Sequence, residues 1–231
     1  MAVIIPALNE ERSVGLVIAA IPRVLGSDVI VADNGSTDHT AEVAADHGAR
    51  VIREPRRGYG AACLAGIAAL RQPDVVVFLD ADLSDDPALI AELVQPILEE
   101  RADLVIGSRM LGEREPGALP LHSLLGNWLA GRMLTHLYHC PTTDLGPFRA
   151  IRHSTLKQLR MEDQGYGWTM EMQAKAARLG VRTVEVAVPY RRRIGRSKIT
   201  GSLWASIQAA AIILWTGFRL LWWRPPPPAA R

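Results

Sequence analysis

Short apolar segments alternate with segments of helical periodicity through the first half of the chain. The segments at residues 2–6, 29–32, 49–53 and 75–79 predict short strands of a buried sheet. Between them apolar side chains recur at three- and four-residue spacing, as in residues 14–21, which is typical of amphipathic helices. Strands and helices that alternate with short connections form a mostly parallel sheet with helices on both faces. The pattern therefore predicts an α/β protein with a Rossmann-like central sheet.

The second half continues the alternation with longer helical segments. The pattern predicts helices at residues 89–100, 121–138 and 167–179, strands at 103–107 and 181–190, and irregular loops at 110–120 and 191–198. The helix at 121–138 is expected to be amphipathic, because its large apolar side chains fall on one stripe, formed by Leu121, Leu125, Trp128 and Leu129.

The segment at residues 203–223 is mostly apolar and rich in tryptophan. It is long enough to cross a bilayer, which takes about 20 apolar residues. Gln208 and Arg219 interrupt it, so an amphipathic helix lying in the membrane interface is the favoured interpretation, with a span or burial in the core as alternatives. The expected organisation is a catalytic domain at 1–200, a membrane-associating helix at 201–224 and a proline-rich tail at 225–231.

Charge is unevenly distributed, although the net charge is only +2. Residues 1–120 carry 10 Lys and Arg against 19 Asp and Glu, whereas residues 121–231 carry 16 against 5. The acidic half suits a metal, and the basic half suits phosphates or an anionic membrane surface. No nucleic-acid-binding module is recognisable, so nucleic acid is not an expected partner. The two cysteines and the absence of a signal-like first segment predict a cytoplasmic protein, peripheral on the inner face of the membrane.

An acidic pair follows the most apolar of these strands. The strand at 75–79 runs into Asp80-Ala81-Asp82, and side chains two apart at a strand end point the same way. Two carboxylates on one side suit Mg²⁺ or Mn²⁺ carrying a diphosphate. Asp85 and Asp86, just before Pro87, are expected only to start the next helix.

Three other strand ends carry polar or glycine residues. They are Asp33, the turn Gly58-Tyr59-Gly60, and Arg109. The carboxyl ends of parallel strands lie at one edge of the sheet, where such proteins bind ligands, so these residues should converge. The glycine turn opens a helix, and its amides could meet a phosphate. It is not a dinucleotide-binding fingerprint, because Cys63 stands where the third glycine would be.

In order and approximate spacing, five segments resemble glycosyltransferases of family 2, which have the GT-A fold: VIIPALNEERSV, VADNGSTDHT, RRGYGAA, FLDADLSDDP and GSR. The resemblance implies that Pro6, Ala7 and Glu10 line the nucleotide pocket and that Asp33 contacts the base. It also implies that Asp80 and Asp82 hold the ribose and the metal-bound diphosphate. Asn34 stands where the family usually has a second Asp.

The second half resembles one group within that family. Asp144-Leu-Gly-Pro-Phe-Arg149, GYGWTMEMQAKA and Arg192-x-x-Gly195-x-Ser197-Lys198 are similar to polyprenyl-phosphate sugar transferases of the dolichyl-phosphate mannosyl- and glucosyltransferase type. That group more often has Ser-Gly-Phe-Arg where this chain has Gly-Pro-Phe-Arg. The resemblance implies an inverting, metal-dependent transfer of a hexose from a nucleoside-diphosphate sugar to polyprenyl phosphate.

The acceptor decides which side chains the reaction needs. A lipid phosphate is already ionised and needs cations, for which Arg149, Arg192 and Lys198 are candidates, with Arg109 at the mouth of the site. A sugar hydroxyl would need a carboxylate base, either Glu171 or Asp144.

Each of these two carboxylates also has a structural explanation. Glu171 could pair with Lys175 one helical turn on, and Asp144 could order its own loop. Two other functions stay open: a soluble transferase acting on a small phosphorylated acid, and a sugar-nucleotide binding protein without turnover.

Overall fold

A seven-stranded sheet organises the chain in the computed structural model, which describes residues 1–22, 26–195 and 203–224. Its strands are β1 (Ala2–Ala7), β2 (Asp28–Asp33), β3 (Arg50–Arg53), β4 (Val75–Phe78), β5 (Leu104–Ser108), β6 (Arg149–Arg152) and β7 (Thr183–Ala187). They lie in the order β3-β2-β1-β4-β6-β5-β7, and every neighbouring pair is parallel except those of β6. The expected mostly parallel α/β sheet is confirmed.

Helices cover both faces of this sheet. The described helices are α1 (Val14–Ala20), α2 (Thr40–Asp46), α3 (Tyr59–Ala68), α4 (Ile90–Leu98), α5 (Leu121–Tyr138), α6 (His153–Leu159), α7 (Trp168–Arg178) and α8 (Leu203–Arg219). One apolar core lies between the sheet and α1, α2 and α4, and a second lies between the sheet and α3, α6 and α7. A third, smaller cluster joins α5, α7 and α8 beside the sheet.

The central strands are apolar along their whole length because both of their faces are covered. Val3, Ile4 and Ile5 of β1 alternate between the two cores, and all three are fully buried. β1 pairs in parallel with β2 and β4, so Ala7, Asp33 and Asp80 come to the same edge. The sheet thereby gathers the polar strand ends that the sequence predicts to converge.

Strand β6 is the one strand absent from the sequence prediction. It inserts antiparallel between β4 and β5, with Ala150 opposite both Val77 and Val105. Arg152 at its end donates to Asp103 over 3.1 Å, and Arg182, just before β7, donates to the same carboxylate over 2.8 Å. These ion pairs lower the pKa of Asp103, chiefly through the hydrogen bond from Arg182.

Helices α5 and α8 pack together at the side of the molecule. Tyr138 donates its hydroxyl to the Gly217 carbonyl, and Arg178 of α7 donates to the carbonyls of Leu221 and Trp223 over 3.0 Å each. The helix predicted at 121–138 is confirmed, but its stripe of large side chains does not face the core. The inner face is formed instead by Ala130, Gly131, Leu134 and Tyr138, while the stripe is exposed, by 84% at Leu121, 58% at Leu125, 56% at Trp128 and 39% at Leu129.

The outer face of α8 is also apolar. Trp215 stacks on Phe218 with ring centroids 6.0 Å apart, and Phe218 meets Trp222 edge-on at 5.0 Å. All three rings are largely exposed. Within the described ranges, none of the helices combines the length and the apolar character that crossing a membrane requires. The domain boundary near residue 200 stays a prediction, and the tail at 225–231 lies outside the described residues.

Candidate active site

The carboxyl ends of β1, β2 and β4 open into a cavity of about 230 Å³, here called the inner cavity. Several residues expected to bind a nucleotide sugar line it: Pro6, Ala7, Glu10, Gly58, Asp80 and Asp82. Asn34 also lines it and donates its side-chain amide to the carbonyls of Glu54 and Arg56 over 3.2 and 2.6 Å. The Asp33 carboxylate is buried and accepts a hydrogen bond from Ser36 N over 3.0 Å. The contact between Asp33 and a base stays a prediction.

The acidic pair lies at the floor of this cavity. Asp80 accepts a hydrogen bond from the Tyr59 hydroxyl over 3.2 Å, and burial raises the pKa of Asp80 to about 7, with the charge of Asp82 as the next cause. Asp82 is buried and accepts Ser84 N over 2.9 Å. Its second oxygen lies 2.8 Å from the guanidinium of Arg193.

The donor set of this floor fits a hard divalent cation that also binds substrate. Across the described ranges no group of three or more His, Cys, Asp or Glu side chains could hold a metal ion. Asp80 and Asp82 are the two carboxylates of the acidic pair that could bind such an ion. Mg²⁺ is typically bound in this way, by one or two carboxylates while phosphate and water oxygens complete its coordination.

Asp85 and Asp86 have different environments. Asp86 accepts Ala88 N over 3.1 Å at the start of the short 3₁₀ turn Pro87–Leu89, as expected for a helix start. Asp85 is buried instead, and neither of its carboxylate oxygens has a hydrogen-bond partner among the described residues. Burial raises the pKa of Asp85 well above its usual value, against the opposing charge of Arg109. The expectation that both residues only start the helix therefore fails for Asp85.

The turn Gly58-Tyr59-Gly60 is needed for close packing. Gly58 N donates to Asn34 over 2.8 Å, and Gly60 N donates to the Gly165 carbonyl over 3.1 Å, so both amides already have protein partners. A Cβ at Gly60 would lie 2.1 Å from the Asp163 carbonyl oxygen. Gly58 has a φ of +146°, which side-chain-bearing residues rarely adopt. This packing explains the two glycines without a phosphate, and phosphate binding by the turn stays a prediction.

A second cavity of about 260 Å³, here called the outer cavity, lies between α5, α8 and the loop after β5. Tyr59, Asp80, Asp82, Tyr166 and Arg193 line both cavities, so the two meet at the acidic pair. Arg109 adds a cation at this polar end. The other walls are mostly apolar, with Leu124, Ala130, Leu145, Ala209, Ala210 and Ile213, and they also include the polar side chains of His122, Ser123, Asn127 and Ser206. The outer cavity therefore combines a charged end with mostly apolar walls.

Arg109 and Asp144, predicted as phosphate ligand and as possible base, form one unit. The Arg109 guanidinium donates to both Asp144 oxygens over 2.8 and 2.7 Å, and Arg109 N donates to Asp144 over 2.8 Å. Asp144 is fully buried, and the guanidinium lies 5.0 Å from the centre of the Tyr190 ring. Such bidentate pairing fixes the direction of an arginine. The geometry supports Asp144 as the residue that positions Arg109.

The other predicted phosphate ligands are distributed differently. Arg149 is fully buried, donates to the carbonyls of Leu145, Gly146 and Thr169, and does not line either cavity. Arg192 is bound to the Pro116 carbonyl over 2.8 Å, on the exposed side of its loop. Ser197 and Lys198 lie outside the described residues. Arg193, which is not among the predicted ligands, pairs with Asp82 over 2.8 Å.

Glu171 has the structural partner that the sequence allows. It pairs with Lys175 over 2.7 Å, and both side chains are buried. It also accepts Asp163 N over 2.8 Å and Glu162 N over 3.1 Å, which fixes the loop between α6 and α7. That loop carries Tyr166 to the wall between the cavities. These contacts favour a structural role for Glu171, which holds the loop that carries Tyr166.

Replacing Glu171 with glutamine is expected to destabilise the protein more than it slows sugar transfer. A buried ammonium group that loses its partner costs about 3 kcal/mol, and Lys175 would be that group. Urea unfolding measures the loss of stability, and the transfer rate per folded molecule should stay within a few-fold. Glu162→Gln is the matched control. Glu162 faces the same lysine, but its side chain is exposed and the distance is longer, 3.8 Å, so its replacement should cost little stability. A large rate loss at unchanged stability would instead identify Glu171 as a base.

The sequence of the chain is similar to those of known glycosyltransferases. The family described as Glycosyl transferase family 2 matches residues 2–160. An uncharacterized glycosyltransferase of Mycobacterium tuberculosis is 41% identical over 216 residues, which cover 90% of this chain and 94% of that protein. The undecaprenyl-phosphate mannosyltransferase of Micrococcus luteus is 33% identical over 214 residues, or 87% of each chain.

Among solved structures, the chain is similar to glucosyl-3-phosphoglycerate synthase from Mycobacterium tuberculosis, crystallised in complex with Mn²⁺, UDP-glucose and phosphoglyceric acid. The TM-score is 0.76 at 26% identity, and the match covers 95% of this chain and 79% of that one. The chain belongs to glycosyltransferase family 2, has the GT-A fold expected from its sequence, and is a hexosyltransferase.

Proposed function

We propose that this enzyme transfers a hexose, with inversion, from a nucleoside-diphosphate sugar to a polyprenyl phosphate at a membrane surface. The observation that carries the proposal is the outer cavity, whose charged end meets the acidic pair and whose walls between α5 and α8 are mostly apolar. A lipid phosphate requires both parts: cations for its headgroup and an apolar channel for its first isoprene units.

The inner cavity is the site we propose for the donor. Pro6, Ala7 and Glu10 would line the nucleotide, and Asp80 would face the ribose and diphosphate. Asp82 and Asp80 would hold a Mg²⁺ or Mn²⁺ ion, which supplies neutralisation of the charge that develops on the departing diphosphate. The solved neighbour crystallised with Mn²⁺ and UDP-glucose supports this assignment.

The acceptor would approach from the outer cavity. One oxygen of its phosphate forms a bond to C1 of the sugar while the bond from C1 to the diphosphate oxygen breaks, and the nucleoside diphosphate leaves with the electron pair. Attack from the face opposite the leaving group inverts C1. The second pKa of a phosphate monoester is about 6, so the acceptor is largely ionised at neutral pH and needs no protein base. Arg109, oriented by Asp144, is available to bind it.

The exposed faces of α5 and α8 favour a lipid acceptor. Helices α5 and α8 expose Leu121, Leu125, Trp128, Trp215 and Phe218, and the turn directly after α8 exposes Trp222. Aromatic and aliphatic side chains on one face of a helix are typical of helices that lie in a membrane interface. The similar mannosyltransferase of Micrococcus luteus, whose name specifies undecaprenyl phosphate, gives further support.

A small phosphorylated acid is the second candidate acceptor, because the solved neighbour was crystallised with phosphoglyceric acid. The test compares transfer from UDP-glucose and GDP-mannose, with Mn²⁺, to a short polyprenyl phosphate and to phosphoglyceric acid. Transfer to the lipid alone is the expected result. Transfer to phosphoglyceric acid alone would reject the lipid assignment, and binding of nucleotide sugars without transfer to either acceptor would reject both.

A further inference from the structure

Arg193 forms ion pairs with Asp82 of the acidic pair and with Glu10. Its guanidinium lies 2.8 Å from Asp82 and 3.5 Å from Glu10, two carboxylates whose side chains are almost fully buried. Burial of two like charges is costly without a partner of opposite sign. Arg193 therefore does for this protein what a bound divalent cation would do: it balances the charge at the floor of the inner cavity.

In its present position the same guanidinium leaves an N–H group unsatisfied. Arg193 Nε is buried and has no hydrogen-bond partner within the described ranges. Arg193 also lines both cavities, so its side chain stands where the proposed donor and acceptor would meet. An arginine fork binds phosphate oxygens in the same way as it binds carboxylates.

The backbone around Arg193 is fixed while its side chain is only partly enclosed. Arg191 N donates to the Ser84 carbonyl and Ile194 N donates to the Asp82 carbonyl, each over 2.9 Å. The segment is thereby tied to the acidic loop on both sides of Arg193. The Arg193 side chain itself keeps 31% of its surface exposed. It can change partner by rotating about its own bonds, and the loop need not detach.

We propose that Arg193 is an exchangeable counter-cation: it pairs with Asp82 and Glu10 when no metal is bound, and it moves to a phosphate when the metal and nucleotide enter. A divalent cation at Asp82 would repel the guanidinium and take its partner, and the incoming diphosphate would offer a new one. The inference rests on the proposed donor site. The exchange would make binding of the metal and the nucleotide cooperative. A metal that binds alone must break the ion pairs of Arg193, and without the nucleotide the guanidinium gains no new partner.

Titration of Mn²⁺ into the full chain and its Arg193→Gln variant, with and without UDP or GDP, tests the exchange. Without nucleotide the variant should bind Mn²⁺ about tenfold more tightly, because one competing charge near a partly buried site is worth at least about 1.4 kcal/mol. With the nucleotide the order should reverse, and the variant should bind the nucleotide more weakly than the wild type. Arg191→Gln is the matched control, because Arg191 pairs with Asp86 on the exposed side of the same segment.

Two outcomes would overturn the proposal. Equal or weaker Mn²⁺ binding by Arg193→Gln in the absence of nucleotide would show that Arg193 does not compete with the metal. Tighter binding in both conditions would show that Arg193 only blocks the site and gives nothing to the phosphate. The rise in melting temperature caused by Mn²⁺ provides a second measurement if the variant is less stable. None of these readouts requires turnover, so a failure of the lipid assignment would leave them interpretable.

Discussion

Asp82→Asn is expected to reduce sugar transfer about 1,000-fold while leaving the fold intact. Loss of one electrostatic contact to charge that develops in a transition state costs roughly 100- to 1,000-fold in rate, and Asp82 is the proposed metal ligand with the least exposure. Asparagine keeps the shape of the side chain and can still accept the hydrogen bond from Ser84 N, which is 2.9 Å long in the wild-type protein. The loss should therefore be catalytic rather than structural.

The measurement combines transfer to a short polyprenyl phosphate with Mn²⁺ titration and thermal unfolding. Asp86→Asn, in the same acidic run, is the control: Asp86 caps the following turn and pairs with Arg191, so its replacement should cost at most about 1 kcal/mol of stability and little activity. Near-normal transfer by Asp82→Asn, with Mn²⁺ still bound, would remove Asp82 from the metal site.

The second large effect is expected from the outer face of α8. Replacing Trp215 and Phe218 together with glutamate should reduce binding to vesicles of phosphatidylglycerol and phosphatidylcholine about 100-fold. Burying a large apolar side chain contributes about 1.5–3 kcal/mol, and two of them are removed here. Trp215 is 64% and Phe218 45% exposed, so the folded state should change little.

A control variant on another surface separates membrane binding through α8 from a general effect of surface hydrophobicity. Leu98→Glu alters a leucine that is 67% exposed on α4, in the layer on the other face of the sheet, and should leave vesicle binding unchanged. The double variant should fail with a long polyprenyl phosphate in vesicles but keep its rate with a short acceptor dispersed in detergent. Equal binding of the double variant and the wild type to vesicles would reject α8 as a membrane-contacting element.

The sequence predicts those parts of the fold that repeat a simple period. Strands β1, β2 and β4 are recognisable because both faces of the sheet are covered, which leaves continuous apolar runs such as residues 75–79. The acidic pair Asp80 and Asp82 is recognisable for the same reason, since it marks the end of such a run. Convergence of the strand ends then follows from the parallel arrangement.

Strand β6 could not be found in this way. Its four residues, Arg149–Arg152, begin and end with arginine and show no alternation that separates them from a loop. Arg152 is held by a distant partner, Asp103, just before β5, whereas Arg149 donates to the carbonyls of Leu145, Gly146 and Thr169. Long-range ion pairs of this kind leave no local pattern.

The choice between Arg192 and Arg193 was equally hidden. Both lie in an irregular basic loop without a period, and the direction of each side chain depends on which backbone amides are bound. The bonds from Arg191 N and Ile194 N to the acidic loop turn Arg193 toward Asp82, while Arg192 turns toward Pro116. The outward direction of the apolar stripe on α5 cannot be predicted for a related reason. Periodicity shows that one face of a helix is apolar, but it does not show whether another part of the protein covers that face.

The insertion of β6 also has a consequence for how such an enzyme can diversify. The chain leaves the sheet at the end of β5 and returns on the adjacent strand, where Arg149 lies opposite Ile106. Residues 109–148, which contribute much of the outer cavity wall, therefore begin and end at neighbouring positions. With the two cavities assigned as proposed, exchange of that single segment is expected to change the acceptor, while the half-sheet of β1 to β4, which carries the proposed donor site, stays constant.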